Sequence, residues 1–295
     1  MIGCLGVLGI AAVAGCGDDD DATQDAAAAK PASFVIQATA EGKQKKALEF
    51  PATVKAGLVT MTLKNADAGQ RSAQLIRVVG EHTLDDVLRV ITSDDGDDTT
   101  PSWIQDGGGL AAVKPGATAR VTQVLAPGRY VLFDDATARG DGEGPSNAEL
   151  GATGEFTVTG PASDAELPEA PATLTATDDG KDEYGFEFAG FKPGVNQVRF
   201  ENTGEELHHA LLFPINPGKT IEDAEKAFTS DAPPQGPPPV DFAAGTGTAV
   251  IDGGIAQNIT LDLKPGRYAV VCFITDREGG KEHVRQGMID ELTVK

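Results

Sequence analysis

Residues 265–274 read PGRYAVVCFI and give the strongest indication of the fold. A Pro-Gly turn leads into a run that is apolar on both faces, which is typical of a central strand buried between two sheets. The same motif occurs near the middle of the chain, as PGRY at 127–130 followed by the apolar residues VLF. The chain is therefore predicted to contain this buried strand twice.

The repeat extends beyond this strand, because other segments match in the same order. The two PGRY motifs lie 138 residues apart. Further pairs keep nearly the same spacing: VKAGL at 54–58 with FKPGV at 191–195, TLDD at 83–86 with TIED at 220–223, and GEFTV at 154–158 with DELTV at 290–294. Matches that keep both order and spacing indicate a duplicated domain.

The duplication predicts two tandem domains, at residues 33–160 and 173–295, joined by a Pro- and Ala-rich linker at 161–172. Period-two runs such as residues 259–263 lie between Pro-Gly turns and predict short strands. Each unit also contains one short helix, since TLDD and TIED both place an acidic residue three positions after an N-cap Thr. The predicted fold class is all-β, with two tandem β-sandwiches that each carry an inserted helix.

The N-terminal segment is apolar, short and followed by acidic residues. Residues 1–15 are too short to span a bilayer comfortably, and the run DDDD begins at Asp18. The sequence VAGC at 13–16 resembles the lipobox of bacterial lipoproteins, which implies cleavage before Cys16 and a lipid on its thiol. We expect residues 16–32 to be a disordered acidic tether. This predicts a lipid-anchored protein on the extracytoplasmic face of a bacterial membrane, in the periplasm or at the cell surface.

The net charge of −21 limits the possible partners. Nucleic-acid binding requires a basic stripe that neutralises phosphates, and no such stripe is visible in the sequence. We therefore expect no nucleic-acid partner. The acidity indicates a solvated surface that resists aggregation, and an acidic face could also steer a basic partner.

The three cysteines differ in their expected fates. Cys4 leaves with the leader and Cys16 carries the lipid, so Cys272 is left alone. Thiols in exported proteins usually pair as disulfides. A lone thiol there needs an explanation, although a free cysteine is also commonly a small buried hydrophobe.

Histidines and a methionine flank this thiol in the second unit. His208 and His209 lie before it, and the spacing that follows is Cys272-x10-His283-x4-Met288. Neighbouring residues on a strand point to opposite sides, so only one of the two adjacent histidines can face the thiol. We favour His208, which directly follows the preceding turn, with His209 as the open alternative.

These segments together resemble the cupredoxins, the blue copper proteins. The matching pieces are NTG at 202–204, PGRY at 265–268 and HVRQGM at 283–288. The resemblance covers the whole second unit and, without the ligands, the first. It implies Greek-key sandwiches and one copper ion in a type 1 site of the second domain. The ligands that it implies are His208, Cys272, His283 and, as a weak axial ligand, Met288.

The chemistry of these side chains supports the same metal independently. A thiolate with two imidazoles in a trigonal arrangement suits copper in both oxidation states. The loop at residues 275–282 is longer than is usual in small blue copper proteins. It is closer to the loop of the type 1 site in copper nitrite reductases.

The first unit lacks all four candidate ligands. The repeat register places Arg71 where His208 stands, Asp134 at Cys272, Asn147 at His283 and Ala152 at Met288. The sequence thus predicts a first domain without metal ligands beside a second domain that has them.

We expect a copper-binding protein that transfers single electrons, possesses a redox protein partner and is not an enzyme. Oxidases and nitrite reductases need a histidine beside the cysteine of the site, and Val271 and Phe273 stand there. The alternative is a metal-free binding or structural module of the cell envelope, because a fold does not establish a function.

Overall fold

The computed structural model of the chain describes residues 31–92, 99–105, 107–137, 144–179, 183–232 and 236–295. Residues Pro31–Lys295 form one compact unit. The predicted leader at 1–15, the lipidation site Cys16 and all but the last two residues of the predicted tether lie outside the described residues. Within the ranges that the structure describes, no helix is long and apolar enough to cross a bilayer.

The first half of the described chain is called the first sandwich. Its strands are β1 (Ala32–Ala40), β2 (Lys46–Glu49), β3 (Thr53–Lys55), β4 (Gly57–Asn65), β5 (Arg71–Val78), β6 (Ile104–Gln105), β7 (Gly109–Val113), β8 (Thr118–Leu125), β9 (Gly128–Phe133) and β10 (Thr153–Thr159). One helix, α1 (Leu84–Ile91), follows β5.

The second half is called the second sandwich. Its strands are β11 (Ala172–Asp178), β12 (Tyr184–Ala189), β13 (Gly194–Asn202), β14 (Leu211–Pro214), β15 (Thr246–Gly247), β16 (Ala256–Leu263), β17 (Gly266–Val271) and β18 (Ile289–Val294). The helix α2 (Ile221–Thr229) follows β14, and two 3-10 turns lie at Phe242–Ala244 and His283–Gln286.

The two sandwiches have matching strand orders, except that β3 and β6 of the first have no counterpart among the described strands of the second. One sheet of the first runs β2-β1-β4-β8, and one sheet of the second runs β12-β11-β13-β16. The other sheets are β3-β10-β9-β5-β6, with β7 beside β5, and β15-β14-β17-β18. In both halves the chain crosses between the sheets at corresponding points, from β4 to β5 and from β13 to β14. The predicted pair of Greek-key sandwiches, each with one inserted helix, is confirmed.

One sheet continues from the first sandwich into the second. Strand β8 pairs with β16 in antiparallel register, which places Gln123 opposite Gln257 and Val121 opposite Ile259. The result is a single eight-stranded sheet. Because backbone hydrogen bonds join them, the two sandwiches form one body, although the sequence predicts only two domains and a linker.

Alternating strands fill the core. In β1, Phe34 and Ile36 are buried while Val35 between them is 43% exposed. The buried apolar cluster includes Met61 from one sheet and Leu132 from the other. Burial of alternate apolar side chains between two sheets provides the main driving force for this fold.

The PGRY motif has the same structural role in both halves. Gly128 and Gly266 have φ values of +155° and +153°, in a region that glycine adopts without strain. The hydroxyls of Tyr130 and Tyr268 each donate to the carbonyl four residues earlier, at 3.0 Å. The motif therefore repeats because it locks the turn that begins the central strand.

Both helices begin with the predicted caps. Thr83 accepts from the Asp86 backbone N–H, and the Asp86 carboxylate accepts from the Thr83 N–H. Thr220 and Asp223 form the same capping box at the start of α2. Each box satisfies two amide donors that the first helical turn leaves without partners.

Candidate metal centre

Backbone contacts hold His208 in place after β13. The amide of Asn202 donates to the carbonyls of Glu206 and Ile251, at 2.7 and 3.2 Å. The His208 N–H donates to the Ile251 carbonyl at 3.0 Å, and the Ile251 N–H donates back at 2.9 Å. The His208 side chain is consequently held, fully buried, at one end of the sandwich.

Backbone hydrogen bonds join the two ends of the long loop after Cys272. Cys272 directly follows β17, and its carbonyl accepts from the Val284 N–H at 2.8 Å. The His283 N–H donates to the Ile274 carbonyl at 2.8 Å, and the His283 carbonyl accepts from the Met288 N–H at 2.9 Å. The loop's length therefore does not separate Cys272 from His283.

The structure brings three of the four predicted donor side chains together. The Sγ of Cys272 lies 3.7 Å from Nδ1 of His208 and 3.6 Å from Nδ1 of His283. The two Nδ1 atoms are 3.0 Å apart, and all three residues are fully buried. Met288 is also fully buried and its carbonyl accepts from the Cys272 N–H, so its role as axial ligand stays a prediction.

These separations fit one ion between the three donors. Zinc lies about 2.0 Å from imidazole nitrogen and about 2.3 Å from thiolate sulfur. With angles of roughly 95–120° at such an ion, its donors stand roughly 3.0–3.8 Å apart. A trigonal set of one cysteine and two histidines with a distant methionine is typical of a type 1 copper site. The residues present therefore fit copper.

Carboxylates hold both imidazoles by their outer nitrogens. Nε2 of His208 lies 2.7 Å from the Asp178 carboxylate, and Nε2 of His283 lies 3.0 Å from that of Asp276. An ionised carboxylate only accepts, so each Nε2 carries the proton and each Nδ1 keeps its lone pair for a metal. Such partners orient metal-binding histidines and raise their basicity.

The Asp178 carboxylate is itself anchored. It accepts from the backbone N–H groups of Glu205 and Glu206, at 3.0 and 3.3 Å. A Cβ at Gly204 would lie 1.6 Å from an Asp178 oxygen, so only glycine permits this approach. Burial alone would raise the pKa of Asp178, but these N–H groups and His208 hold it below its usual value.

Tyr184 covers the second imidazole. Its ring stacks on that of His283 with centroids 4.7 Å apart, and its hydroxyl donates to Asp276 at 2.8 Å. Burial and the Asp276 carboxylate raise the pKa of the Tyr184 hydroxyl. The tyrosine therefore stays neutral and holds Asp276 and the ring of His283 together.

Electrostatics keep the cluster neutral when it is considered without a cation. Burial lowers the pKa of His208 to about 4 and also lowers that of His283. Burial raises the pKa of the Cys272 thiol to about 12, against the effect of the His209 and Ile274 backbone N–H groups. A cation between the donors favours the thiolate, because it supplies the charge that the interior otherwise lacks.

The two adjacent histidines have different roles. His208 faces Cys272, whereas Nε2 of His209 accepts the backbone N–H of Phe273 at 3.0 Å. Burial lowers the pKa of His209 to about 3, so this nitrogen is a neutral acceptor. His209 therefore fixes the backbone next to Cys272.

Sequence reasoning missed Asp178, Asp276 and Tyr184. Asp276 lies only four residues after Cys272, in the long loop to which the sequence analysis gave no role in the site. Asp178 and Tyr184 come from the β11–β12 hairpin, whose sequence bears no metal-binding pattern. Their spacing from the ligands along the chain offered no signal.

A buried ion pair occupies the corresponding place in the first sandwich. Nε of Arg71 bonds the carboxylate of Asp134, with both side chains fully buried. The guanidinium also donates to the carbonyls of Thr39 and Ala47, at 2.7 and 2.9 Å, and Asn147 donates to Asp134 at 3.2 Å. The structure thus brings together the first-unit residues that the repeat register aligned with the ligands. Among the described residues, the His208, Cys272 and His283 group alone offers three such donors at close range.

Comparison with known proteins gives likenesses to copper proteins. No protein-family model matches the chain, and no curated protein sequence matches it. The solved structures similar to it include a copper nitrite reductase from Nitrosomonas europaea, at 16% identity and a TM-score of 0.27, covering 90% of this chain and 94% of that one. Auracyanin A, a "blue" copper protein from Chloroflexus aurantiacus, has 18% identity and a TM-score of 0.30, with 44% of this chain and all of that one covered.

A further likeness is to a dithionite-reduced auracyanin from Roseiflexus castenholzii, at 20% identity and a TM-score of 0.25, covering 43% of this chain and 99% of that one. Because these TM-scores are low, no property of these proteins is transferred to this chain. The two Greek-key sandwiches and the three-donor cluster are established by the strand order, the donor separations and the carboxylate-bound imidazoles.

Proposed function

We propose that the second sandwich binds one copper ion through His208, Cys272 and His283, with Met288 as a weak axial ligand, and that the protein transfers single electrons. The observation that carries this proposal is the convergence of Sγ and two Nδ1 atoms in a buried hollow, within 3.7 Å of one another. When bound, copper supplies a centre that gains and loses one electron.

The surrounding residues suit that task because they restrict motion. His208 lies in an isolated β-bridge, Cys272 directly after a strand and His283 in a 3-10 turn. Backbone hydrogen bonds tie Cys272 to Val284 and Met288. Asp178 and Asp276 fix the two rings, and burial excludes water from the donors. A rigid dry site changes little when its charge changes, which favours rapid electron transfer.

We further propose that no substrate is converted on the protein. Val271 and Phe273 flank Cys272, so the chain has no histidine there to connect the site to a second catalytic metal. The proposal includes a redox protein partner, and an extracytoplasmic position on a lipid at Cys16.

The test is copper binding by the chain from Gly17 onward, which keeps the whole compact unit. We expect one equivalent of Cu(II) and an intense visible band from the thiolate-to-copper transition. Cys272→Ser should abolish the band, whereas His82→Gln, far from the cluster in sequence, should leave it unchanged. A wild-type protein that binds no copper, or an unchanged band in the Cys272 variant, would refute the proposal.

The first sandwich supports a second candidate function, a metal-free module of the cell envelope. It keeps the same strand order although Arg71 and Asp134 replace two of the donors. Metal analysis of protein purified from its native envelope separates the two candidates. Stoichiometric copper supports electron transfer, and a metal-free protein supports the module.

A further inference from the structure

The loop between Cys272 and His283 is held by the first sandwich, through Arg277 at its middle. The Arg277 carbonyl accepts from the Thr100 N–H at 2.8 Å. Its Nη1 donates to the carbonyl of Ile104, in β6, at 3.1 Å. Two backbone groups of the first sandwich are therefore hydrogen-bonded to one residue of the loop between Cys272 and His283, called the metal loop.

The same arginine is also bound within the second sandwich. Its Nη2 donates to the Asp252 carboxylate at 2.6 Å, and its backbone N–H donates to the Glu206 carboxylate at 2.7 Å. The side chain is only 21% exposed. A planar guanidinium can reach Ile104 and Asp252 at the same time, which a lysine cannot do with the same geometry.

A second tether holds the segment that pairs with His208. The Gln74 side chain, in β5, donates to the Val250 carbonyl at 2.8 Å and accepts the Val250 N–H at 2.9 Å. The Gly108 N–H also donates to the Val250 carbonyl, at 2.6 Å. A Cβ at Gly107 would lie 2.7 Å from that carbonyl, so the close approach requires glycine there.

In each tether, the residue that is held is a chain neighbour of a residue that is hydrogen-bonded to a proposed ligand. Val250 precedes Ile251, whose backbone exchanges two hydrogen bonds with His208. Arg277 follows Asp276, which holds the ring of His283. A long loop has many conformations when free, so contacts that fix its middle reduce the freedom of both ends.

We propose that the first sandwich acts as the scaffold of the metal centre, with Arg277 as its positioning residue. This inference rests on the proposed copper function and deepens it. The duplicated domain that lost or never had a site sets the ligand positions of the domain that has one.

The test compares Arg277→Ala with Arg267→Ala in the chain from Gly17 onward. Arg267 is a matched control, because it also pairs with a carboxylate, Glu291, but within the second sandwich and with a 42% exposed side chain. Copper-loaded proteins are mixed with a chelator and the loss of the visible band is timed. We expect Arg277→Ala to release copper roughly tenfold faster and to change the EPR spectrum, as loss of outer partners of a metal site does.

Arg277→Lys keeps the positive charge but lacks the planar guanidinium that reaches both partners. Its rate of copper release should therefore lie between those of wild type and Arg277→Ala. Gln74→Leu removes the second tether and should also accelerate release. The Gln74 variant keeps the inference testable if Arg277→Ala fails to fold. Release rates and EPR spectra equal to those of Arg267→Ala for the Arg277 and Gln74 variants would overturn it.

Hydrogen exchange of the metal-free protein separates this inference from the proposed function. In Arg277→Ala, amides of residues 273–282 should exchange faster than in Arg267→Ala, whether or not the protein binds copper. Unchanged exchange would count against the scaffold alone. Absence of copper binding by the wild type would count against the proposed function alone.

Discussion

The ends of the two sandwiches are built alike and filled differently. Asn65 and Asn202 do the same work, since each amide donates to two carbonyls that hold the following loop. Beyond that shared frame, the first sandwich places the Arg71–Asp134 ion pair where the second places His208 and Cys272. The same fold therefore holds an ion pair at this buried position in one half and metal-ligand side chains in the other.

The difference lies in where the compensating charge comes from. Arg71 and Asp134 neutralise each other, so the first sandwich is complete with its own atoms. The second sandwich offers lone pairs and a thiol, and ionisation of that thiol needs a cation from outside. The residue that orients the first imidazole also has no counterpart of the same kind, because the strand register places Ala40 where Asp178 stands. The first sandwich therefore has an alanine in place of the carboxylate that orients His208, just as it has Arg71 and Asp134 in place of two ligands.

The largest expected effect is on the first sandwich. Arg71→Met leaves the Asp134 carboxylate buried without its cation and should lower the free energy of unfolding by about 3–5 kcal/mol. Urea unfolding measures the loss. The double variant Arg71→Met/Asp134→Leu should recover part of it, because it removes the lone charge. A double variant less stable than the single one would show that the pair does not act as a unit.

The next largest effect is expected in the second sandwich, at Asp178. Asp178→Asn keeps the shape but removes the charge that orients His208, and should weaken copper binding roughly tenfold or more. Competition with a chelator measures the affinity. Asp262→Asn, on an exposed position of β16, serves as control. Equal affinities of the two variants would contradict the role given to Asp178.

A substitution at Gly204 tests the position of the same carboxylate without changing Asp178 itself. Gly204→Ala places a methyl group where an Asp178 oxygen lies, so the carboxylate must move and copper affinity should fall. Gly185→Ala is the control, since a Cβ there meets nothing closer than 3.7 Å. We expect a smaller loss than in Asp178→Asn, measured by the same competition. A Gly204→Ala variant that binds copper as tightly as Gly185→Ala would refute the packing argument.

Acidification should affect the metal-free second sandwich. The folded-state pKa of His208 is about 4, below the ordinary value of 6.5, so the unfolded chain takes up protons first as the pH falls. Stability is therefore full above about pH 6.5 and declines as the pH falls towards 4. Hydrogen exchange at pH 7.5, 5.5 and 4.5 should show amides near Cys272 losing protection before those near Asp134. Equal loss in both regions would contradict the assignment.

The smallest effects concern the helices, where the two halves are alike. Thr83→Ala and Thr220→Ala each remove one capping box and should each cost about 1 kcal/mol of stability. Urea unfolding of both variants checks this. Clearly unequal losses would show that the two caps are not equivalent.

Much of the fold could be predicted because its signals are local or repeated. Pro-Gly turns, period-two runs and capping boxes act within a few residues, and the nearly constant spacing of the repeat aligned Arg71, Asp134 and Asn147 with the ligands. The pairing of β8 with β16 could not be predicted, since any exposed strand edge could in principle pair with any other. Nor could the roles of Asp178 and Tyr184, which come from a hairpin with no metal-binding pattern.

Two similar sandwiches, and the copper-site order of cysteine and histidines in the second alone, could be predicted from the amino-acid sequence. Those properties depend on residue type and spacing along the chain. Only the folded chain shows that His208 rather than His209 faces Cys272, that carboxylates orient both rings, and that Arg277 ties the metal loop to the other sandwich. These depend on contacts between residues far apart in sequence, which exist only once both sandwiches have packed together.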